Sequence, residues 1–444
     1  MSQSLEDAIQ SAGGPTELMR DLGVGRFTKL PDQYTHWITE QKSWSESVAL
    51  ADQSYHMTDL HIEGPEALDL LRDLAVNSFE GFEPGKAKQL VVANPNGKFI
   101  GDSILFYLEE DRLLSVGAAA ANNWVDYHGS TGDHDAETDF QPRPVTMDED
   151  PTYFRFQVQG PDAVATMKAA TDTEIPELGF FNFAPIEIDG VEVNLLRHGM
   201  AGEAGYEFWG PYEHGERVKQ AVREAGKEYG IKRLGAESYQ TANVLLGWLP
   251  LPLPAIYSGE EMADYREWLS ARRGILSIAG SYVSDDVEDY YVTPVELGYD
   301  RIINFDHDFV GAEALKEEME NPSRKKVTLE WDGDDVVDIY GSLFEDGDTD
   351  QYMDLPHPRS GACPYDRVEV DGELVGLSTD KSYVYQERKM LSLAVLDLEY
   401  AEPGTEVTIV WGDPEENDNR RVEEHVQTEV TATVAPSPYS QDKR

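Results

Sequence analysis

One cysteine, Cys363, stands in a chain of 444 residues. A single thiol forbids an intrachain disulfide and any zinc site built on cysteine pairs. Cations are scarce too: 36 Lys and Arg face 85 Asp and Glu, a formal charge of -49. Phosphate binding needs clustered cations, so this balance argues against a nucleic-acid partner. No run of about 18 apolar residues occurs, so no helical membrane span is expected. Met1–Gly14 carries acids and no apolar core, unlike a signal peptide. The expectation is a soluble, cytoplasmic protein. Phosphate-loop, dinucleotide, zinc-protease and nucleophile-elbow motifs are all missing. The 10 histidines are scattered, so no catalytic metal is expected.

Hydrophobic residues make up 40% of the chain, enough for a sizeable core. The length suggests roughly two to three domains. The acids are spread along the whole sequence. Such a surface repels itself at low ionic strength and is screened by salt. Adaptation to a very salty cytoplasm follows as a hypothesis.

Periodicity orders the chain. Leu5–Ile9 and Pro15–Leu22 read as helices, and Asp52–His61 as a strand. Pro65–Leu74 is an amphipathic helix. Gln89–Ala93, Ile100–Leu108 and Leu113–Val116 are strands, followed by a helix from Asn122. His134–Asp150 is acidic and expected to be an exposed loop. The strand Phe154–Gln159 turns at Gly160-Pro161 into the helix Asp162–Thr171. That unit echoes the earlier turn at Gly64-Pro65 and suggests two related α+β halves. Glu237–Leu246 is a helix, and Leu249–Ile256, with three prolines, must be extended. After Pro322, six short β-like runs alternate with turn signals, including the hairpin signal Asp371-Gly372. Asp332–Asp335 and Glu345–Asp350 are expected as acidic loops, and this last third as a small antiparallel barrel or sandwich.

The stretch Arg197–Pro211, R-H-G-M-A-G-E-A-G-Y-E-F-W-G-P, places Gly199, Gly202 and Gly205 between two strand-like runs. A glycine turn lets backbone approach a ligand closely. Glu207 then stands among Tyr206, Phe208 and Trp209. A flat, nitrogen-rich ring stacked on such aromatics could donate its N–H groups to that carboxylate. The other reading is an ordinary hairpin with Glu207 in solvent. His56, Asp102, Gln157 and Tyr239 are further polar residues on otherwise apolar elements, either satisfied core groups or site residues.

These stretches resemble the glycine-cleavage T-protein (aminomethyltransferase) family. The glycine turn with its glutamate, D-Q-S-Y-H-M at Asp52–Met57, N-P-N-G-K-F-I-G-D-S-I at Asn94–Ile104 and E-L-G-Y at Glu296–Tyr299 carry the resemblance. W-L-P-L-P-L-P-A-I-Y-S-G at Trp248–Gly259 and V-E-D-Y-Y-V at Val287–Val292 are similar to one branch, the tetrahydrofolate-dependent vanillate and 3-O-methylgallate O-demethylases. The resemblance runs from Leu5 to about Ser440. It implies an α+β fold with T-protein-like folate-binding domains over 1–321, as two interleaved subdomains. A C-terminal antiparallel β-barrel follows over 322–444.

The resemblance also implies roles. Glu207 would hold the pterin of tetrahydrofolate, with Gln157, Trp248 and Tyr206 also at the folate. Asp102 would orient or polarise it, Tyr239 would be the catalytic acid, and His56 would line the substrate pocket. The branch holds its substrate carboxylate with an arginine where this chain has Ala118. A pocket tyrosine near the N-terminus has no match among Phe27, Thr28 and Lys29. A replacement cation, Lys29 or charged His56, is then expected if the substrate is acidic. The implied activity is methyl transfer from a methoxylated aromatic to tetrahydrofolate. The alternatives are aminomethyl transfer, demethylation of a sulfonium or methylamine-type substrate, and folate binding without catalysis.

Overall fold

A computed structural model describes residues 3–20, 29–143, 150–199, 205–358, 361–414 and 422–439. Three β-structures organise the chain. The first is a five-stranded antiparallel sheet in the order Ala87–Ala93, Phe99–Glu109, Arg112–Gly117, Thr58–Glu63, Glu137–Gln141. The second is six-stranded, in the order Lys232–Leu234, Ala49–Asp52, Tyr153–Gln159, Gly205–Pro211, Val191–Arg197, Phe183–Ile188. Its first two strands pair in parallel and the rest antiparallel. The third is a closed antiparallel barrel of six strands, from Arg324–Trp331 to Thr428–Ala435.

The two sheets share the Gly-Pro device seen in the sequence. Gly64 and Gly160 sit at φ 135° and 123°, the left-handed region where a side chain is strained. A Cβ on Gly160 would also lie 2.6 Å from the Ser47 carbonyl, and one on Gly64 2.4 Å from that of Asp135. Each turn feeds a helix, Ala67–Leu74 or Ala163–Ala170, whose apolar side covers its own sheet.

Four expectations are corrected. Asp52–His61 is not one strand: Ala49–Asp52 belongs to the six-stranded sheet and Thr58–Glu63 to the five-stranded one. Glu137–Gln141, expected as loop, pairs with Thr58–Glu63 as an edge strand, where half-exposed charged positions are tolerated. Asp332–Asp335 opens the helix Gly333–Ser342; the Asp332 carboxylate accepts from the amides of Asp334 and Asp335, and the acids suit the helix N-terminus. Glu237–Leu246 is two short helices, Ala236–Gln240 and Ala242–Leu246.

That helical pair positions the candidate site. The Glu40 carboxylate, fully buried, accepts from the amides of Tyr34, Thr35 and Gly235 and from Ser238 Oγ at 2.6–2.8 Å. This pins the start of the first helix, next to Tyr239. Further along, Val244 and Leu249 pack in one cluster with Val91 and Phe99 of the five-stranded sheet and Leu391 and Leu393 of the barrel. Among the described residues no helix is long and apolar enough to cross a membrane.

Candidate active site

Alternation along Tyr153–Gln159 builds the site. Phe154, Phe156 and Val158 point into the core beneath the sheet, with Tyr206, Phe208, Val218 and Val222. Arg155, Gln157 and Gln159 therefore project from the opposite face, yet they too are buried. Across the sheet Gln157 faces Glu207 on one side and Ala51 on the other, while Arg155 faces Trp209. Ala49 and Ala51 are small, so space remains above them. A cavity there is lined by Trp44, Gln157, Gln159, Leu234, Tyr239 and Ala242 besides the two alanines.

Gln53 joins this face to Tyr239. Its Nε2 donates to the Tyr239 hydroxyl at 2.9 Å and to Gln157 Oε1 at 3.2 Å. The hydroxyl oxygen of Tyr239 is thus an acceptor for Gln53, and its own hydrogen is available to a ligand. Burial pushes that hydroxyl well above the usual phenol range, with the Glu207 charge adding to it. Two buried atoms, Gln53 Oε1 and Gln157 Nε2, have no hydrogen-bond partner among the described residues. Buried polar atoms are rarely left so. The ring of His56 meets that of Tyr239 edge-on, centroids 5.2 Å apart. Burial, and then the charges of Arg143 and Arg155, push His56 down to about 4, so it is neutral at pH 7.

Glu207 is 3% exposed, which removes the solvent-facing hairpin reading. Burial raises its carboxyl to about 7 against the pull of Arg155. Tyr206, one residue earlier, lies on the other face of the strand. It packs in the core, and its hydroxyl accepts from Arg197 Nη1 at 3.3 Å. The fold therefore does not bring Tyr206 to Glu207. Of the bulky neighbours only Trp209 shares the carboxylate's face. Gly202, in the glycine turn, lies outside the described residues, as do Phe27 and Thr28.

Asp102 forms a second cluster. Its Oδ2 accepts from Gln89 Nε2 at 2.5 Å, Tyr299 Oη at 2.7 Å and Trp248 Nε1 at 3.0 Å. Burial raises the carboxyl, and the three donors pull it back. Asp102 and Trp248, both expected at the site, are thus in direct contact. The Tyr239 and Asp102 clusters are linked through the short segment from Tyr239 to Trp248. Asp102→Ala would strand three donors, so a stability loss of about 3 kcal/mol is expected, read as a lower urea midpoint. An unchanged midpoint would mean that the cluster does not hold the fold.

Ala118 caps the helix Ala119–Thr131 beside Gly117, which pairs with Thr58. Lys29 Nζ lies over the ring of Tyr55 at 5.5 Å. Burial and the neighbouring Arg143 and Arg155 charges disfavour the charged form of His56 that a replacement cation requires. Arg155 has no motif signal of its own in the sequence, although its two-residue offset from Gln157 marks the same face. Gln53 stands in a quoted motif with no signal of its own, and so does Tyr299.

Residues 24–244 match the model of the GCVT N-terminal domain. The chain is 42% identical to syringate O-demethylase of Sphingobium sp., over 99% of this chain and 96% of that one. It is 31% identical to sesamin methylene transferase of Sinomonas sp., over 85% of this chain and 82% of the other. Glycine cleavage system aminomethyltransferase T from Bartonella henselae has the same fold, with a TM-score of 0.63 at 16% identity over 96% of each chain.

Proposed function

We propose, because this chain belongs to the glycine-cleavage T-protein (GCVT) family, that it demethylates a methoxylated aromatic and passes the methyl group to tetrahydrofolate. One observation carries the reading. A buried face holds the Glu207 carboxylate, Gln157 Nε2 and Gln53 Oε1 without partners among the described residues, and a tyrosine hydroxyl with its hydrogen to give. Those donors and acceptors fit a pterin ring, which carries both N–H and carbonyl groups. Full-length identity of 42% to a syringate O-demethylase supports the same class of substrate.

Tetrahydrofolate, when bound, supplies the ring nitrogen that accepts the methyl carbon. Glu207 and Gln157 would hold the pterin, while Trp248 and Asp102 border it from the second cluster. Asp102 orients; its Oδ1 takes none of the three bonds that converge on Oδ2. Phenoxide is a poor leaving group, and Tyr239 would donate to the ether oxygen as charge develops there. The raised hydroxyl keeps its proton at neutral pH, as a donor must. His56, neutral and packed on Tyr239, would line the substrate side. Alignment of nitrogen, carbon and oxygen is the main contribution of the protein. Residues 1–321 would form the folate-binding region and 322–444 the barrel domain that buttresses it. Gln41, which donates to the carbonyl of barrel residue Tyr383 and to Thr241 Oγ1, supports that division of labour.

The test incubates the protein with tetrahydrofolate and vanillate, syringate or guaiacol, in molar salt and in dilute buffer. Methyltetrahydrofolate and a free phenol are the expected products. No product from any methoxylated ring would sink the demethylase reading. Equal activity in both buffers would sink the proposal that the acidic surface serves a salty cytoplasm.

A further inference from the structure

We infer that Arg155 recognises the carboxylate of an acidic methoxylated aromatic; the inference rests on the demethylase reading above. Arg155 is 3% exposed and shares a face with Gln157 and Glu207. Its Nη2 donates to Asp59 Oδ1 at 3.1 Å, an ion pair that ties the two sheets together. Its Nε is buried and has no hydrogen-bond partner among the described residues. A carboxylate can take two parallel bonds from one guanidinium edge, so a fork with a spare Nε–H is half of such a site.

The surroundings lead from that fork to the reacting groups. Arg155 lines an open cleft with Gln53, Met57, Asp59 and Tyr153. Gln53 is also the residue that bonds the Tyr239 hydroxyl. Two residues along a strand span about 6.6 Å, and Arg155 is two residues from Gln157. A benzoate ring covers a somewhat shorter span from carboxylate carbon to meta methoxy oxygen, and the guanidinium reaches out from the strand to meet it. An acid anchored at Arg155 would therefore carry its ether toward Tyr239. Arg143 adds a second positive charge near His56, in a chain whose net charge is -49. Asp59 and Asp150 also line the cleft and Glu207 shares the face, so the anion must hold to the Arg155 fork itself; the Asp59 carboxylate is already engaged with Nη2. This recognition uses neither Ala118 nor Lys29.

Calorimetric titration of the full chain without folate compares vanillate with guaiacol, the same ring lacking the carboxylate. Wild type should bind vanillate more tightly. Arg155→Met should weaken vanillate roughly 10- to 100-fold and guaiacol far less. Arg155→Lys should restore part of the vanillate affinity, because it returns the charge without the fork. Arg155→Met alone strands the buried Asp59, so Arg155→Met/Asp59→Asn provides a second, neutral variant. Equal losses for both probes, undiminished vanillate binding in the double variant, or a wild type with no preference would overturn the assignment. Vanillate-selective binding that depends on Arg155, with no methyl transfer, would leave it standing and overturn only the demethylase reading.

Discussion

Tyr239→Phe is expected to lower turnover about 10²–10⁴-fold, the usual cost of losing a positioned acid. Folate affinity should stay near that of wild type, because the pterin groups fall to Glu207 and Gln157. The substitution removes one oxygen, to which Gln53 Nε2 donates at 2.9 Å. Gln53 keeps its bond to Gln157 Oε1, so the scaffold should survive. The donor role also makes a substrate-dependent forecast. A ring bearing electron-withdrawing groups leaves as a weaker base and should suffer less from the loss. Single-turnover rates on a series of substituted methoxyarenes would show this as a steeper leaving-group dependence in the variant. Equal rates for variant and wild type on every substrate would remove Tyr239 from the chemistry.

Glu207→Gln should weaken folate binding roughly 10- to 100-fold, the loss of a charge-assisted hydrogen bond. The same change should stabilise the folate-free protein at alkaline pH. Burial lifts the Glu207 carboxyl from its ordinary 4.5 to about 7. Between those values the folded protein holds a proton that the unfolded chain releases, so stability falls as pH rises through that window and is level above it. At pH 8 the ionised, buried carboxylate costs as much as ~3 kcal/mol, and the glutamine removes that cost. Near pH 4 the two proteins should be about equally stable. Folate binding has the opposite dependence on pH. The ionised carboxylate accepts pterin N–H groups more strongly, and through both oxygens, than the protonated acid, so wild-type affinity should rise from pH 6 to 8 and the variant's should not. Urea titrations at pH 4 and 8, with calorimetry at pH 6, 7 and 8, test both. Unchanged folate affinity would exclude Glu207 from the site, and equal stability at pH 8 would mean that its carboxylate is not paying for burial.

The two effects come from one location. On the proposed reading, the buried Glu207 carboxylate should destabilise the folate-free protein and be offset by the ligand that it holds. Glu40 is the contrast: equally buried, it accepts four short hydrogen bonds from its own chain and needs no ligand.

Local order was legible at several places where neighbours in sequence enforce it, although the Asp332 cap of Gly333–Ser342 read as a loop. The alternation of F-R-F-Q-V-Q assigned a strand, the Gly-Pro turns marked both sheet-to-helix corners, and Asp371-Gly372 closed a barrel hairpin at φ 52° and 81°. Each depends on backbone dihedrals or on a period of two, which act over a few residues. The motif around Glu207 was legible as well, but not which way it faced. That depended on pairing with Tyr153–Gln159, and the same pairing sent Tyr206 to the opposite side. The Asp102 cluster gathers residues 89, 102, 248 and 299, and the Tyr239 hydroxyl meets a glutamine 186 positions away. Nothing local encodes such meetings. They arise when packing of the helical pair against sheet and barrel brings distant polar groups together in a low-dielectric interior. There the Arg155 Nε without a partner among the described residues and the raised carboxyl of Glu207 first become visible, because both are consequences of burial.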